Sequence, residues 1–445
     1  MEQVGGVRGN PSPTALDAWT QSHLVEKKVL FGNGKDSSQL VLSDLLEIFR
    51  AVDEALQSGA VPVITHGTDT LGITGGGLAQ LFPDCGMVIT GSFHPPNVPN
   101  TDATNFTDAL DLAEALAQNS QFPKVPYGVL NGSIYLASTI VKLDIDYRNG
   151  KRGFRSHRGK VGSIKEGQIQ WDASFLQEFE SSRVAALTET DPVRRTVLSL
   201  IRYSRFVLPR IELIYVNDFT PEEQIQHALD RLETKKTDCL ILHGCMTEAH
   251  PCFFRMHRLK KNGALLFLQN LHFPLGLGVY RLFAKLLIYL NQVTGLELDS
   301  ILQSNLSGEI TPLGEDVSYR ADIQAHNFYS TDQDEFGFLI YTQDPEILAW
   351  QIQDECKRLE RVQREKNKKV SLIIEGTGNG HIHVDQSSPV IEALKMATRQ
   401  GIQVIISTRV KDACPNFNYE VGKKLKEQIP GLTLSRFPGR GALAQ

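Results

Sequence analysis

Apolar residues recur at helical spacing over residues 44–59, where Leu45, Leu46, Ile48, Phe49, Val52, Ala55 and Leu56 share one face. Ser43-Asp44 stands ahead of them as an N-cap signal, so the pattern predicts an amphipathic helix here. A short apolar run, Ala60 to Ile64, then leads into the polar string Thr65-His66-Gly67-Thr68-Asp69-Thr70. A glycine-rich stretch from Gly72 to Ala79 follows, and then a second apolar run from Met87 to Thr90. Helix, strand, loop, helix, strand is the order of a βαβ-type unit, and the expected fold class is α/β with a parallel sheet. In open sheets of this class, chemistry sits beyond the carboxyl ends of the strands. The Thr65–Thr70 loop and Thr90-Gly91-Ser92 therefore converge on one edge.

The second half of the chain contains two segments that read either as a diverged internal repeat or as two βαβ units that merely look alike. Ile211 to Tyr215, Gln224 to Leu232 and Cys239 to Gly244 read strand, helix, strand; Phe338 to Tyr341, Ile347 to Leu359 and Val370 to Gly376 read the same way, offset by about 126 to 132 positions. The expected domains are residues 1–171, a middle region 172–315 that is a possible degenerate repeat, and residues 316–445. The stretch Val279 to Val293 is apolar but contains Arg281 and Lys285, so it reads as a core or subunit-contact helix and not a membrane span.

Composition narrows the classes. The 445 residues are 41% hydrophobic and 22% charged, the balance of a globular protein large enough for two to four domains. A net charge of −5 without a basic block makes nucleic acid an unexpected partner. The absence of a long apolar run or leader-like N-terminus leads to the expectation of a cytoplasmic protein that does not enter membranes. The six cysteines are scattered, which fits a reducing compartment. Cys245 and Cys252 lie near His243 and His250 but lack a close Cys-x-x-Cys pair, so no metal and no cofactor are expected.

Thr68-Asp69 carries the candidate chemistry. A threonine hydroxyl becomes a nucleophile or proton relay only when an amine or imidazole takes its proton, and a neighbouring carboxylate can orient that amine or hold a substrate ammonium. The string Thr65 to Thr70 resembles the signature loop of the bacterial-type L-asparaginase/glutaminase family. Asp36-Ser37-Ser38 upstream resembles that family's substrate loop. Thr90-Gly91-Ser92 with Pro95, then Asp102 and Asn105, resemble two further blocks in the same order. Lys142, after Ser138-Thr139-Ile140-Val141 and before Phe154-Arg155-Ser156, resembles the family's catalytic lysine; the longer gap to Phe154 leaves Lys151 and Lys160 open. Glu375 to Gly380 resembles the C-terminal-domain loop that, in the family, approaches the site from a neighbouring subunit; Ile405 to Arg409 and Tyr419 continue the match.

The resemblance implies a larger N-terminal parallel-sheet domain followed by smaller α/β C-terminal domains. It also implies an amidohydrolase that releases ammonia from a side-chain carboxamide of an amino-acid amide, in a homo-oligomer (dimer or tetramer). Thr68, Asp69 and Lys142 would be catalytic; Ser37, Ser38, Gly67, Thr68 and Asp69 would bind substrate. The chain departs from the family at its start. Gly5-Gly6 is followed by Val7 where a nucleophilic threonine is expected, and valine has no hydroxyl with which to form an acyl-enzyme. His94 replaces an arginine and Ala103 a glycine. A start placed too late, another nucleophile such as Thr14 or Thr68, or a catalytically impaired relative that binds amino acids or joins a complex, are the alternatives this leaves; a subunit of a transamidating complex fits least.

Overall fold

The computed structural model describes residues 30–31, 35–92, 104–142, 153–156, 159–177, 179, 210–217, 222–237, 239–245, 265–268, 335–340, 344–385, 388–408, 410, 415–417 and 420–435. The chain divides into two compact units. The first is Met1–Ser204 with Thr377–Ile382 and Val410–Lys423; the second is Arg205–Gly376 with His383–Arg409 and Lys424–Gln445.

In the first unit, helix α1 (Leu42–Gln57) precedes strand β1 (Val63–Thr65), helix α2 (Leu71–Leu81), strand β2 (Met87–Thr90) and helix α3 (Asn105–Gln118). The order follows the hydrophobic pattern, with shifted boundaries. The α1 N-cap is Val41, and Asp44 in the first turn accepts the Val41 N–H at 2.7 Å and pairs with Lys35. Asp44 therefore acts from inside the helix and not ahead of it, complementing the helix N-terminus.

Strands β3 (Pro126–Leu130), β4 (Ser133–Leu136), β7 (Gly162–Lys165) and β8 (Gln168–Trp171) complete a six-stranded sheet in the order β1-β2-β3-β4-β7-β8. It is parallel from β1 to β3 and antiparallel beyond. The antiparallel part is built from two tight hairpins. Their turns, Asn131-Gly132 and Glu166-Gly167, have positive φ at both residues, the backbone such two-residue turns require. Between them, β5 (Ile140–Lys142) and β6 (Phe154–Ser156) form a separate antiparallel pair. Ser138 and Thr139 belong to a 3-10 turn ahead of β5. The core lies between α3 and the sheet, around Val88, Leu112, Leu116, Tyr127, Val129, Ile134 and Ile164. Tyr127 is fully buried and donates its hydroxyl to the Pro123 carbonyl at 2.9 Å, which satisfies its one polar atom.

The second unit holds two parallel sheets. Strands β9 (Ile211–Asn217), β10 (Cys239–Cys245) and β11 (Leu265–Leu268) form one, in the order β11-β10-β9, with helix α4 (Glu222–Glu233) between β9 and β10. Strands β12 (Phe336–Ile340), β13 (Ser371–Gly376), β14 (Gln403–Thr408) and β15 (Thr433–Leu434) form the other. Helices α5 (Pro345–Lys366) and α6 (Pro389–Arg399) connect its first three strands, and helix α7 (Glu420–Gln428) precedes β15. Asp344 and Ser388 cap α5 and α6, each followed by a proline at the helix start, and Asn367 ends α5 in the left-handed region. Both predicted strand-helix-strand segments thus form parallel βαβ units. Buried Glu212 of β9 binds Arg231 of α4 through two hydrogen bonds, and Arg231 also reaches Asp354 of α5.

Among the described residues, no helix is long and apolar enough to cross a membrane. Cys85 and Cys356 are free thiols, and burial pushes Cys356 up to about 12, aided by Glu355 and Glu360. The stretch 279–293, together with Val7, Thr14, His94, Asp102, Lys151, Cys252 and Tyr419, lies outside the described residues.

Candidate active site

The polar string leaves the carboxyl end of β1 and starts α2. Its shape is set by buried hydrogen bonds. The His66 N–H donates to the Thr90 carbonyl at 2.8 Å, joining the loops that follow the two neighbouring strands. The His66 ring lies between the Gly67 carbonyl, 2.7 Å from Nδ1, and the Thr74 hydroxyl, 2.9 Å from Nε2. A carbonyl can only accept, so Nδ1 carries the hydrogen and Nε2 accepts from Thr74. Burial lowers the His66 pKa to about 4, so the ring is neutral near pH 7 and holds one tautomer.

Thr70 donates its hydroxyl to the Ser37 carbonyl at 2.8 Å, fixing the upstream 3-10 turn beside the signature loop. There Asp36 accepts the Ser38 N–H, Ser37 and Ser38 are buried, and Gly67 packs directly against the Ser37 side chain. Farther along the edge, Asn105 donates to the Gly91 carbonyl at 2.8 Å and accepts the Asn131 N–H at 2.7 Å. Thr90 turns its hydroxyl to the Val129 carbonyl at 2.7 Å, so that hydroxyl serves the sheet.

Lys142 ends β5, and the Thr139–Ser156 hydroxyl contact at 2.7 Å ties its strand pair. Helix α2 packs on the 3-10 turn ahead of β5, which carries Lys142 to the loop after β1. Its Nζ donates to Thr68 Oγ1 at 2.8 Å and to Asp69 Oδ1 at 2.6 Å. The structure thus brings Thr68, Asp69 and Lys142 together, with Ser37, Ser38 and Gly67 alongside. Lys160 is exposed and outside the group.

One participant has no counterpart in the sequence reading. The chain after β13 makes a turn in which Thr377 and His381 exchange backbone hydrogen bonds, and His381 Nδ1 meets Asp69 Oδ2 at 2.8 Å. Gln39 donates to the Ile382 carbonyl at 2.8 Å, binding this turn to the Ser37 loop. The matching motif was read only as far as Gly380, and nothing in local pattern marks the next residue. The turn belongs to the same chain as Asp69.

Burial alone would raise the Asp69 pKa, but the Lys142 charge and the His381 hydrogen bond outweigh it and hold the carboxyl well below the usual carboxylate range. Asp36, Asp69 and His381 offer ligand atoms within 4.8 Å of one another. A metal ion there would have to compete with the Lys142 ammonium already on Asp69. The chemistry of the donor set therefore favours an internal ion-pair network.

Residues 14–177 match a family model described as the N-terminal part of asparaginase. Over 145 residues the chain is 32% identical to an L-asparaginase of Thermococcus kodakarensis, a match covering 29% of this chain and 42% of that relative, so the chain spans less than half the length of the relative it matches. Among solved structures, a probable cytoplasmic L-asparaginase from Campylobacter jejuni aligns with TM-score 0.43 and 19% identity over 61% of this chain and 83% of its own. The thermostable L-asparaginase from Thermococcus kodakarensis aligns with TM-score 0.34 and 15% identity over 98% of this chain and 87% of its own. Residues 14–177 are thus similar to the N-terminal part of asparaginase, and the threonine, aspartate and lysine gathered at the loop after β1 lie within that stretch.

Proposed function

We propose that the chain is an amidohydrolase that converts a side-chain carboxamide to a carboxylate with release of ammonia. The observation that carries this reading is the Lys142 amine within 2.8 Å of the Thr68 hydroxyl and 2.6 Å of Asp69, on the edge where the loops after β1 and β2 meet.

Lys142, once neutral, accepts the Thr68 proton, and the hydroxyl oxygen attacks the amide carbon or draws the proton from an attacking water. Asp69 orients the lysine. Ser37 and the backbone N–H groups of its turn hold the carboxylate at the far end of the substrate, and nearby N–H groups stabilise the developing oxyanion. The proton taken by the lysine passes to the departing nitrogen, which leaves as ammonia; where Thr68 itself attacks, a water deprotonated by the lysine then hydrolyses the acyl-enzyme, giving the carboxylate and returning the proton to the threonine oxygen. No cofactor enters this sequence.

Ammonia release from a panel of small amides tests the reading. Lys142→Met and Thr68→Val are each expected to lower kcat by at least about a hundredfold, the scale of one general acid–base or nucleophilic group. An unchanged rate in both variants rejects the assignment. Ligand binding at Ser37 without turnover of any amide favours instead the catalytically impaired, amino-acid-binding alternative.

A further inference from the structure

Residues 381 and 382 face two ways. The ring of His381 meets Asp69, and the carbonyl of the next residue, Ile382, accepts from Gln39 Nε2 at 2.8 Å. The same Gln39 nitrogen donates to the Ser38 hydroxyl oxygen at 2.9 Å. A carbonyl only accepts, so the amide nitrogen and not its oxygen lies on this side, and its two hydrogens serve the two acceptors. Gln39 ends the 3-10 turn Ser37–Gln39, in which Ser37 and Ser38 are buried. Thr70 holds this turn by the Ser37 carbonyl at 2.8 Å, which fixes it against the signature loop. The turn across from it is braced as well, by the Thr377–His381 backbone pair and by Asn416, whose N–H donates to the Asn379 carbonyl at 3.2 Å.

Gln39 therefore joins the turn bearing Ser37 to the turn bearing His381. Ile382 is fully buried, so a side chain at position 39 that cannot donate leaves its carbonyl without this partner and away from water. The Ser38 hydroxyl loses the same donor, while the Thr70 bond to the turn persists. Lys142 keeps its bonds to Thr68 and Asp69, which do not involve Gln39. The geometry points to Gln39 as a positioning residue: it sets the Ser37 turn in register with the turn that carries His381, and governs affinity for the far carboxylate of the substrate without taking part in amide cleavage. The inference rests on the amidohydrolase reading, in which the Ser37 turn holds that carboxylate.

Ammonia release by the full chain from L-asparagine and from succinamate, two amides that share a far carboxylate, tests it. Gln39→Met keeps the length of the side chain and has no hydrogen to donate. It is expected to raise KM by about tenfold, the scale of one or two hydrogen bonds, with kcat within about threefold of wild type. A variant that lowers kcat at unchanged KM overturns the inference, as does one that changes neither. Should Gln39→Met fail to fold, Gln39→Glu is the second variant, because its carboxylate has the same length and also lacks the hydrogens; wild-type affinity in Gln39→Glu overturns the inference. Calorimetry with succinate, which carries the carboxylate and is not turned over, separates this inference from the reading beneath it. Succinate bound by the wild type and about tenfold more weakly by Gln39→Met, with no ammonia from either amide, supports the positioning role and removes the amidohydrolase. Ammonia released with an unchanged KM in both variants removes the positioning role and leaves the amidohydrolase, whereas no release and no binding removes both.

Discussion

Asp69 holds together residues from three distant parts of the chain, and its ionisation is therefore coupled to folding. Its folded pKa is depressed, because Lys142 and His381 favour the charged form over the burial that opposes it. The stabilisation is fully present above the unfolded pKa of about 3.9 and declines as pH falls through the folded value. Removing one partner of a buried pair costs about 3–5 kcal/mol. Asp69→Asn is thus expected to be less stable than wild type by that order at pH 7, with the gap beginning to narrow below about pH 4. Urea titrations at several pH values measure it, and a gap independent of pH from 7 to 2 would contradict the coupling. Gly378 shows the same tight fit from the other side, since its φ of +48° and its contact with the carboxylate both argue against a side chain there.

At the scale of elements, the glycine-rich α2 is the part whose role runs against propensity. Glycine costs a helix interior about 1 kcal/mol relative to alanine, so Gly75→Ala on an isolated helix would stabilise. In the fold, a Cβ at that position meets the Ala137 carbonyl at 2.8 Å, and the 3-10 turn it touches leads directly to Lys142. Gly75→Ala is accordingly expected to destabilise by about 1–3 kcal/mol and to slow turnover by moving the lysine away from Thr68. Chemical denaturation and kcat read the two effects; a more stable, fully active variant would refute them.

Much at this scale was legible in the sequence. Apolar period placed α1, whose one face is buried; short apolar runs placed β1 and the fully buried β2, and the glycine-rich α2 was read from its place between them. Strands β3 and β4 were not read, although Asn131-Gly132 is a strong hairpin signal, because the strands themselves are short and the first begins at a proline. The antiparallel extension of the sheet went unseen for the same reason. Thr68, Asp69 and Lys142 were named from motif order. His381 was not, since its meeting with Asp69 spans 312 positions and depends on tertiary structure alone.

For the molecule as a whole, the first compact unit is discontinuous in sequence, taking Thr377–Ile382 and Val410–Lys423 from the C-terminal half. A fragment ending at residue 204 lacks both, and with them the His381 bond to Asp69. That fragment is expected to melt roughly 6–12 °C below the intact chain, since about 3 kcal/mol corresponds to about 2–4 °C per kcal/mol in a unit this size. Equal melting temperatures for the two would show that the borrowed segments contribute nothing.

The same discontinuity governs when the site comes into being. During translation Thr68 and Lys142 emerge early, while the histidine that closes on Asp69 follows 312 residues after it, when most of the polypeptide has already left the ribosome. A nascent chain therefore carries the lysine and threonine before the histidine that meets Asp69 exists, and the constellation is completed last.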